Sequence, residues 1–298
     1  VKVNPIHPSL RAVKKKKSLV LNLDQVIFGF LPVYGLFSYS LSYADPQRVT
    51  PVSLHHEVSE IGSKPVESLT PEQSAKKLNE LGVDLVLKSK TEDGIQAFKK
   101  GIETDSTNPT LRYNLAGVYL SLGDIDSAKA QALKCVELKP NELSFLHRLG
   151  EIQFAAKNFT EAAKSFEKIA TLNPEFNEVI FHLGTVYAMQ QKWPEAEGAL
   201  RRARDIYPSN SSIDTNLANV LIMTKKFSEA SKILEKVSIK EPSAEVNLAL
   251  GIAYEAAGDE DKALLAYQVA KSLGSKDSHL DARIEAANKK IAGSTGAK

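Results

Sequence analysis

Cysteine is almost missing from these 298 residues: Cys135 stands alone, beside one tryptophan and two methionines. A lone cysteine has no partner to bridge to, so the chain is not a disulfide-stapled scaffold. An ordinary apolar fraction of 43% excludes a collagen-like polymer and a wholly disordered chain. Charge of one sign is missing too, with 38 basic against 36 acidic side chains. That near-balance hides a lopsided start. Residues 1–44 hold six basic residues (Lys2, Arg11 and Lys14 to Lys17) against Asp24 alone, leaving 32 basic and 35 acidic in the rest. Phosphate binding needs a clustered positive face, so no nucleic-acid partner is expected. Length alone suggests two compact domains.

Long hydrophobic runs are also scarce. The apolar run from Val26 to Phe37 is twelve residues and contains Pro32, whereas a spanning helix needs ~20. It follows the basic Lys14 to Lys17 and precedes Ser42 and Ala44, the small-x-small spacing of a signal-peptidase site. Residues 1–44 are therefore expected to be an export signal, with a mature chain starting at Asp45. Two other readings stay open: Gln25 to Ala44 gives 20 uncharged residues, enough for an uncleaved membrane anchor, and the acid-poor first 23 residues fit an organelle transit peptide. No cysteine follows the run closely, which argues against lipid modification. Residues 45–69 carry Pro46, Pro51, Gly62 and Pro65 without helical periodicity and are expected to be a linker.

What the sequence does have is a 34-residue period beginning near Ala75. Leucines recur at Leu81, Leu115, Leu149, Leu183 and Leu217, with Leu250 one residue early. A small residue follows each: Gly82, Ala116, Gly150, Gly184, Ala218 and Gly251. A second small column runs through Gly94, Ala128, Ala162, Ala196, Ala230 and Ala263, and four residues on come Phe98, Phe166, Leu200, Leu234 and Tyr267. Pro140, Pro174, Pro208 and Pro242 close four units. Each unit holds two stretches with i, i+4, i+7 spacing, the pattern of two short amphipathic helices. Small residues are expected to let their backbones approach, and proline to end the second helix. One helix pair cannot bury its own apolar face, so neighbours must stack into a solenoid.

These columns resemble the tetratricopeptide repeat family over residues 75–275, as six repeats. The segments YNLAGVYLSLGDIDSAKAQALKCVELKP and FHLGTVYAMQQKWPEAEGALRRARDIYP carry nearly the full pattern. The resemblance implies an all-α, right-handed solenoid of helix-turn-helix repeats. Thr70-Pro71-Glu72-Gln73 supplies an N-cap, a first-position proline and a capping-box glutamine, so the first helix should start there. Residues 278–292 place Leu280, Ile284, Ala287 and Ile291 on one face and should form a C-terminal capping helix within 276–298.

Nothing points to catalysis. His55-His56-Glu57 with Glu60 lacks the two histidines one helical turn apart that a zinc-protease helix needs. There is no phosphate-cradling glycine loop, no nucleophile elbow and no Cys/His ligand spacing, so no metal site, cofactor or catalytic residue is expected. Cys135 and Trp193 fall in packing columns and are expected to be core residues.

Binding is better supported. The resemblance implies that the first helix of each repeat lines a concave groove. Its fifth-position row is Asn79, Tyr113, His147, Phe181 and Thr215; its sixth-position row is Glu80, Asn114, Arg148, His182 and Asn216. With Glu151, Phe154 and Asn219, the expected partner-binding set is Tyr113, Asn114, His147, Arg148, Glu151, Phe154, Phe181, His182, Asn216 and Asn219. Aromatics bury area at small entropic cost, and asparagine offers both a donor and an acceptor to an extended peptide. The co-chaperone members that grip a terminal carboxylate use lysines, asparagines and an arginine; here Asn114 and Arg148 match, but Asn79, Val83 and Ser144 stand at the other three positions. That clamp is not expected. The reading is an exported, non-enzymatic interaction scaffold of a bacterial periplasm or cell envelope, binding a protein or peptide. The alternatives are an adaptor anchored through residues 25–44 in an envelope assembly or secretion machine, and a regulatory partner of a separate enzyme.

Overall fold

The computed structural model describes residues 69–295. The expected export signal or anchor over residues 1–44, and the linker over 45–69 save its last residue, lie outside the described residues. Among those residues there are thirteen helices and no strand. They run α1 (Pro71–Leu87) and α2 (Thr91–Thr104), α3 (Pro109–Ser121) and α4 (Ile125–Leu138), α5 (Leu143–Ala155) and α6 (Phe159–Leu172), then α7 (Glu178–Met189) and α8 (Trp193–Ile206). The rest are α9 (Ser211–Met223) and α10 (Phe227–Lys240), α11 (Ala244–Ala257) and α12 (Glu260–Ser272), and a final α13 (Leu280–Thr295). Each helix packs on the next, and the odd-numbered helices also touch one another, α1 on α3, α3 on α5, α7 on α9 and α9 on α11. Contacts limited to near neighbours make an all-α solenoid.

Local chemistry starts and reverses the helices. Thr70 and Gln73 exchange bonds, the Gln73 amide donating to Thr70 Oγ1 at 3.2 Å and the Thr70 amide to Gln73 Oε1 at 3.0 Å. At the turn inside each pair stand Ser89, Gly123, Lys157, Gln191, Lys225 and Gly258, all with φ between +58° and +82°. In the third, the Lys157 amide donates to the Phe154 carbonyl and the Asn158 amide to the Gln153 carbonyl, both at 2.8 Å. This left-handed closure satisfies the last carbonyls of the helix and reverses the chain.

The small column works differently from the sequence expectation. A Cβ added at Gly82, Gly150 or Gly184 would come within 2.6, 2.6 and 2.7 Å of Phe98, Phe166 and Leu200 respectively. The glycines are seats for the bulky side chain sixteen residues on, more than points where backbones meet. Gly94 does serve close backbone approach, since its Cβ would lie 2.9 Å from the Gly82 carbonyl oxygen. The leucine column is buried from Leu115 to Leu250, but Leu81 is 48% exposed. No described helix precedes α1 to cover it. Cys135 is buried, and Trp193, half-buried, packs against the core as a packing residue. The Cys135 thiol donates to the Pro109 carbonyl, and burial pushes its pKa up to about 11, which keeps it unreactive. One continuous core runs from Leu146 to Leu280, where α13 closes it with Leu280 and Ile284 against the preceding helices. A smaller cluster around Phe98, Leu111 and Leu115 holds the first helices.

Candidate functional site

The odd helices set the two rows side by side. Because successive odd helices are offset by one repeat, a sixth-position residue meets the fifth-position residue of the helix before it. Asn114 Nδ2 donates to Asn79 Oδ1 at 2.8 Å. Arg148 donates to the Tyr113 hydroxyl at 3.3 Å, with its guanidinium carbon 5.0 Å from the Tyr113 ring centre. The His182 ring packs edge-on against His147 with centres 4.8 Å apart. Periodicity therefore places these residues correctly along the helices, but the rows knit neighbouring helices together as well as facing outward.

Exposure divides the ten expected residues in two. Tyr113, Asn114, His147, Arg148 and Glu151, on α3 and α5, are half-buried and present a surface. Phe154, Phe181, His182, Asn216 and Asn219 are buried, and both asparagines have no exposure at all. Phe181 belongs to the main core. Where the sequence sets Phe181 among the partner-binding residues, the structure packs it in the interior, because α7 is buried at every position from Val179 to Val186. Asn216 Nδ2 donates to Thr185 Oγ1 at 3.3 Å, yet its Oδ1 has no partner, and neither carboxamide atom of Asn219 has one.

On the open part, charge and aromatic surface are combined. Arg148 donates to Glu151 at 2.9 Å. Burial works against the Arg148 charge, but Glu151 and the Tyr113 hydroxyl outweigh it, and the guanidinium stays protonated. Tyr113 packs on Phe145 with ring centres 5.6 Å apart. His147 sits 3.7 Å from Glu151, too far for a hydrogen bond, and burial followed by the Arg148 charge lowers its pKa to about 4. His182 stacks on Phe166 with centres 5.1 Å apart; burial, then His147, lowers its pKa to about 3. Both imidazoles are neutral near pH 7, so the surface carries one arginine, one glutamate and neutral rings. It offers donors, acceptors and aromatic faces, and it contains no nucleophile beside a base. Among the described residues no group of three or more His, Cys, Asp or Glu side chains could hold a metal ion.

Comparison with known proteins agrees with this architecture. A curated relative, Hsp70-Hsp90 organizing protein 2 of Arabidopsis thaliana, is 28% identical over 99 residues, covering 33% of this chain and 17% of that protein. The chain thus spans about a sixth of the length of the curated relatives it matches. Among solved structures, pilF of Pseudomonas aeruginosa aligns with a TM-score of 0.60 at 17% identity, over 74% of this chain and 99% of that one. YrrB, described as a protein with an unusual peptide-binding site, aligns at 0.54 and 22% identity, over 65% of this chain and 99% of that one. These likenesses establish the fold. Family models described as tetratricopeptide repeat match residues 109–142, 147–211 and 189–247, within the helix pairs whose columns and packing are set out above, and the chain is a tetratricopeptide repeat protein.

Proposed function

We propose that the protein is a non-enzymatic scaffold that holds an extended peptide or protein segment against α3 and α5. The observation that carries this reading is the half-buried cluster of Tyr113, Asn114, His147, Arg148 and Glu151, where a charged pair and aromatic faces stay open while the equivalent rows of α7 and α9 are closed. Tyrosine and arginine are the side chains that most often dominate interface energies. The peptide-binding description of YrrB and the chaperone-organizing relative support a protein ligand. The test is capture of partners from native extract by the full chain and by a Tyr113→Ala variant. Loss of a hot-spot aromatic removes ~2 kcal/mol, or ~30-fold in affinity. Equal retention of the same partner by both forms would contradict the reading.

We also propose export to the cell envelope, on the strength of Lys14 to Lys17, the apolar run and the Ser42-x-Ala44 site. N-terminal analysis of the natively expressed protein should find Asp45 first. Recovery of peptides from residues 18–44 in the mature form would overturn cleavage and favour the membrane-anchored adaptor.

A further inference from the structure

On the opposite side of α7 from the binding rows lies a cavity of about 320 Å³ between α6 and α8. At 100° per residue, Ile180, Leu183 and Tyr187 form a stripe of α7 about 180° from Phe181 and His182. That stripe is the floor. Ala170 of α6 and Gly198 and Ala199 of α8 form walls, and Phe176, in the connection before α7, closes one end. The repeat explains why the opening exists here. One repeat later the same three wall positions carry Arg204, Lys232 and Ile233; one repeat earlier they carry Val136, Lys164 and Ser165.

Two further observations mark the cavity as more than loose packing. Gly198 lies in the middle of α8, where glycine costs about 1 kcal/mol relative to alanine. The glycines at 82, 150 and 184 return that cost by seating a neighbour, but a Cβ at Gly198 would meet nothing within 4 Å. Packing does not require this glycine, and the space it leaves belongs to the cavity. The second is Arg202, also lining the cavity. Adjacent Arg201 is tied to Glu197 and Glu229, whereas Arg202 is exposed and makes no ion pair or hydrogen bond among the described residues. The Tyr187 hydroxyl is engaged by Glu167 at 2.9 Å, and Lys192 lies over the Tyr187 ring, so charge at that end is internally balanced. The free positive charge is at the Arg202 side alone.

We infer that this outer cavity is a second protein-docking site, which takes one bulky apolar side chain of a partner with an adjacent carboxylate on Arg202. An apolar floor near the lower size limit of small-ligand sites fits one side chain rather than an extended ligand, and an unpaired guanidinium favours a carboxylate beside it. The site is separate from the groove and does not depend on the reading given to it.

The experiment is methyl-detected NMR titration of the full chain with the dipeptide acetyl-Phe-Glu-amide. Saturable shifts at millimolar concentration are expected for Ile180 and Leu183. Acetyl-Phe-Gln-amide on the native protein, and acetyl-Phe-Glu-amide on Arg202→Gln, should each bind about tenfold more weakly, a loss of 1.4 kcal/mol. Acetyl-Ala-Glu-amide should give no saturable shift. Gly198→Leu fills the cavity and should abolish binding while the protein stays folded, as its retained spectrum would show. Absence of saturable shifts, equal binding of the alanine probe, or undiminished binding in Gly198→Leu would each overturn the inference, as would shifts confined to residues around Tyr113 and His147.

Discussion

Leucine introduced at position 184 and leucine introduced at position 198 are the same change in one helix hairpin, yet the structure gives them opposite signs. At Gly184 even the first added carbon would lie 2.7 Å from Leu200 Cγ, 3.0 Å from Leu200 Cδ2 and 3.2 Å from the Leu200 backbone nitrogen. Carbon atoms prefer about 3.5 to 4.0 Å, and a backbone nitrogen cannot rotate away as a side chain can. The α7–α8 pair must therefore part by on the order of 1 Å, and the remaining leucine carbons then enter a filled core. Overpacking of this kind costs about 1 to 3 kcal/mol, and the expectation is the upper end, ~3 kcal/mol. At Gly198 nothing is within 4 Å, and exchanging glycine for a good helix former returns about 1 kcal/mol. The two variants should thus differ by ~4 kcal/mol in equilibrium urea denaturation. Hydrogen exchange should place the Gly184→Leu loss within residues 143–244, because repeats couple chiefly to their neighbours. Two variants of equal stability, or a protection loss spread evenly from α1 to α13, would refute the packing argument.

Phe181→Ala should cost about 3 to 5 kcal/mol, the usual range for a buried phenylalanine, while Tyr113→Ala should cost ~1 kcal/mol for a cation–π contact and one hydrogen bond; chemical denaturation of both variants decides it. Acid should weaken the centre of the array. His147 and His182 have folded pKa values of about 4 and about 3, below ~6.5 in the unfolded chain, so the unfolded state takes up protons first and stability falls as pH drops from ~6.5 towards 4. Between pH 7 and pH 5 each histidine accounts for about 2 kcal/mol, and a His182→Phe variant should show a correspondingly flatter pH profile; an unchanged profile would contradict the assignment. Asn219→Leu should stabilise the free protein, because a fully buried carboxamide with neither atom paired costs about 1 to 3 kcal/mol. A lower thermal midpoint for that variant would show that the amide has partners in solution.

The helix pairs were legible because their cause is periodic. Leu115, Leu149, Leu183 and Leu217 recur at the repeat length, and each is buried for the same local reason. The edges broke the pattern: Leu81 fits the column but has no described helix before it to cover its side chain. The turns were hidden for a different reason. A left-handed residue ends every odd helix through α11, but four of the six are serine, lysine or glutamine, so no glycine signal marks the column. The binding rows were half legible. The spacing placed Tyr113, Arg148, Phe181 and Asn216 on matching faces of successive helices, but it does not reveal how much of each helix its surroundings cover. α7 and α9 are buried over most of their circumference, whereas Tyr113, Asn114, His147 and Arg148 on α3 and α5 stay half-buried. The outer cavity gave no periodic signal at all, because it arises where Ala170 and Gly198 depart from their own columns.

The most direct test of the account is site-specific photo-cross-linking in the native cell, with a benzophenone amino acid replacing Tyr113 on the inner face or Leu265 on α12, which is 62% exposed. The account predicts that the probe at position 113 captures a defined partner protein, that capture falls at least tenfold when Arg148→Ala is added, and that the probe at 265 does not capture it. Capture of that partner from position 265 alone, or capture from 113 that is indifferent to Arg148, would contradict binding on the face of α3 and α5.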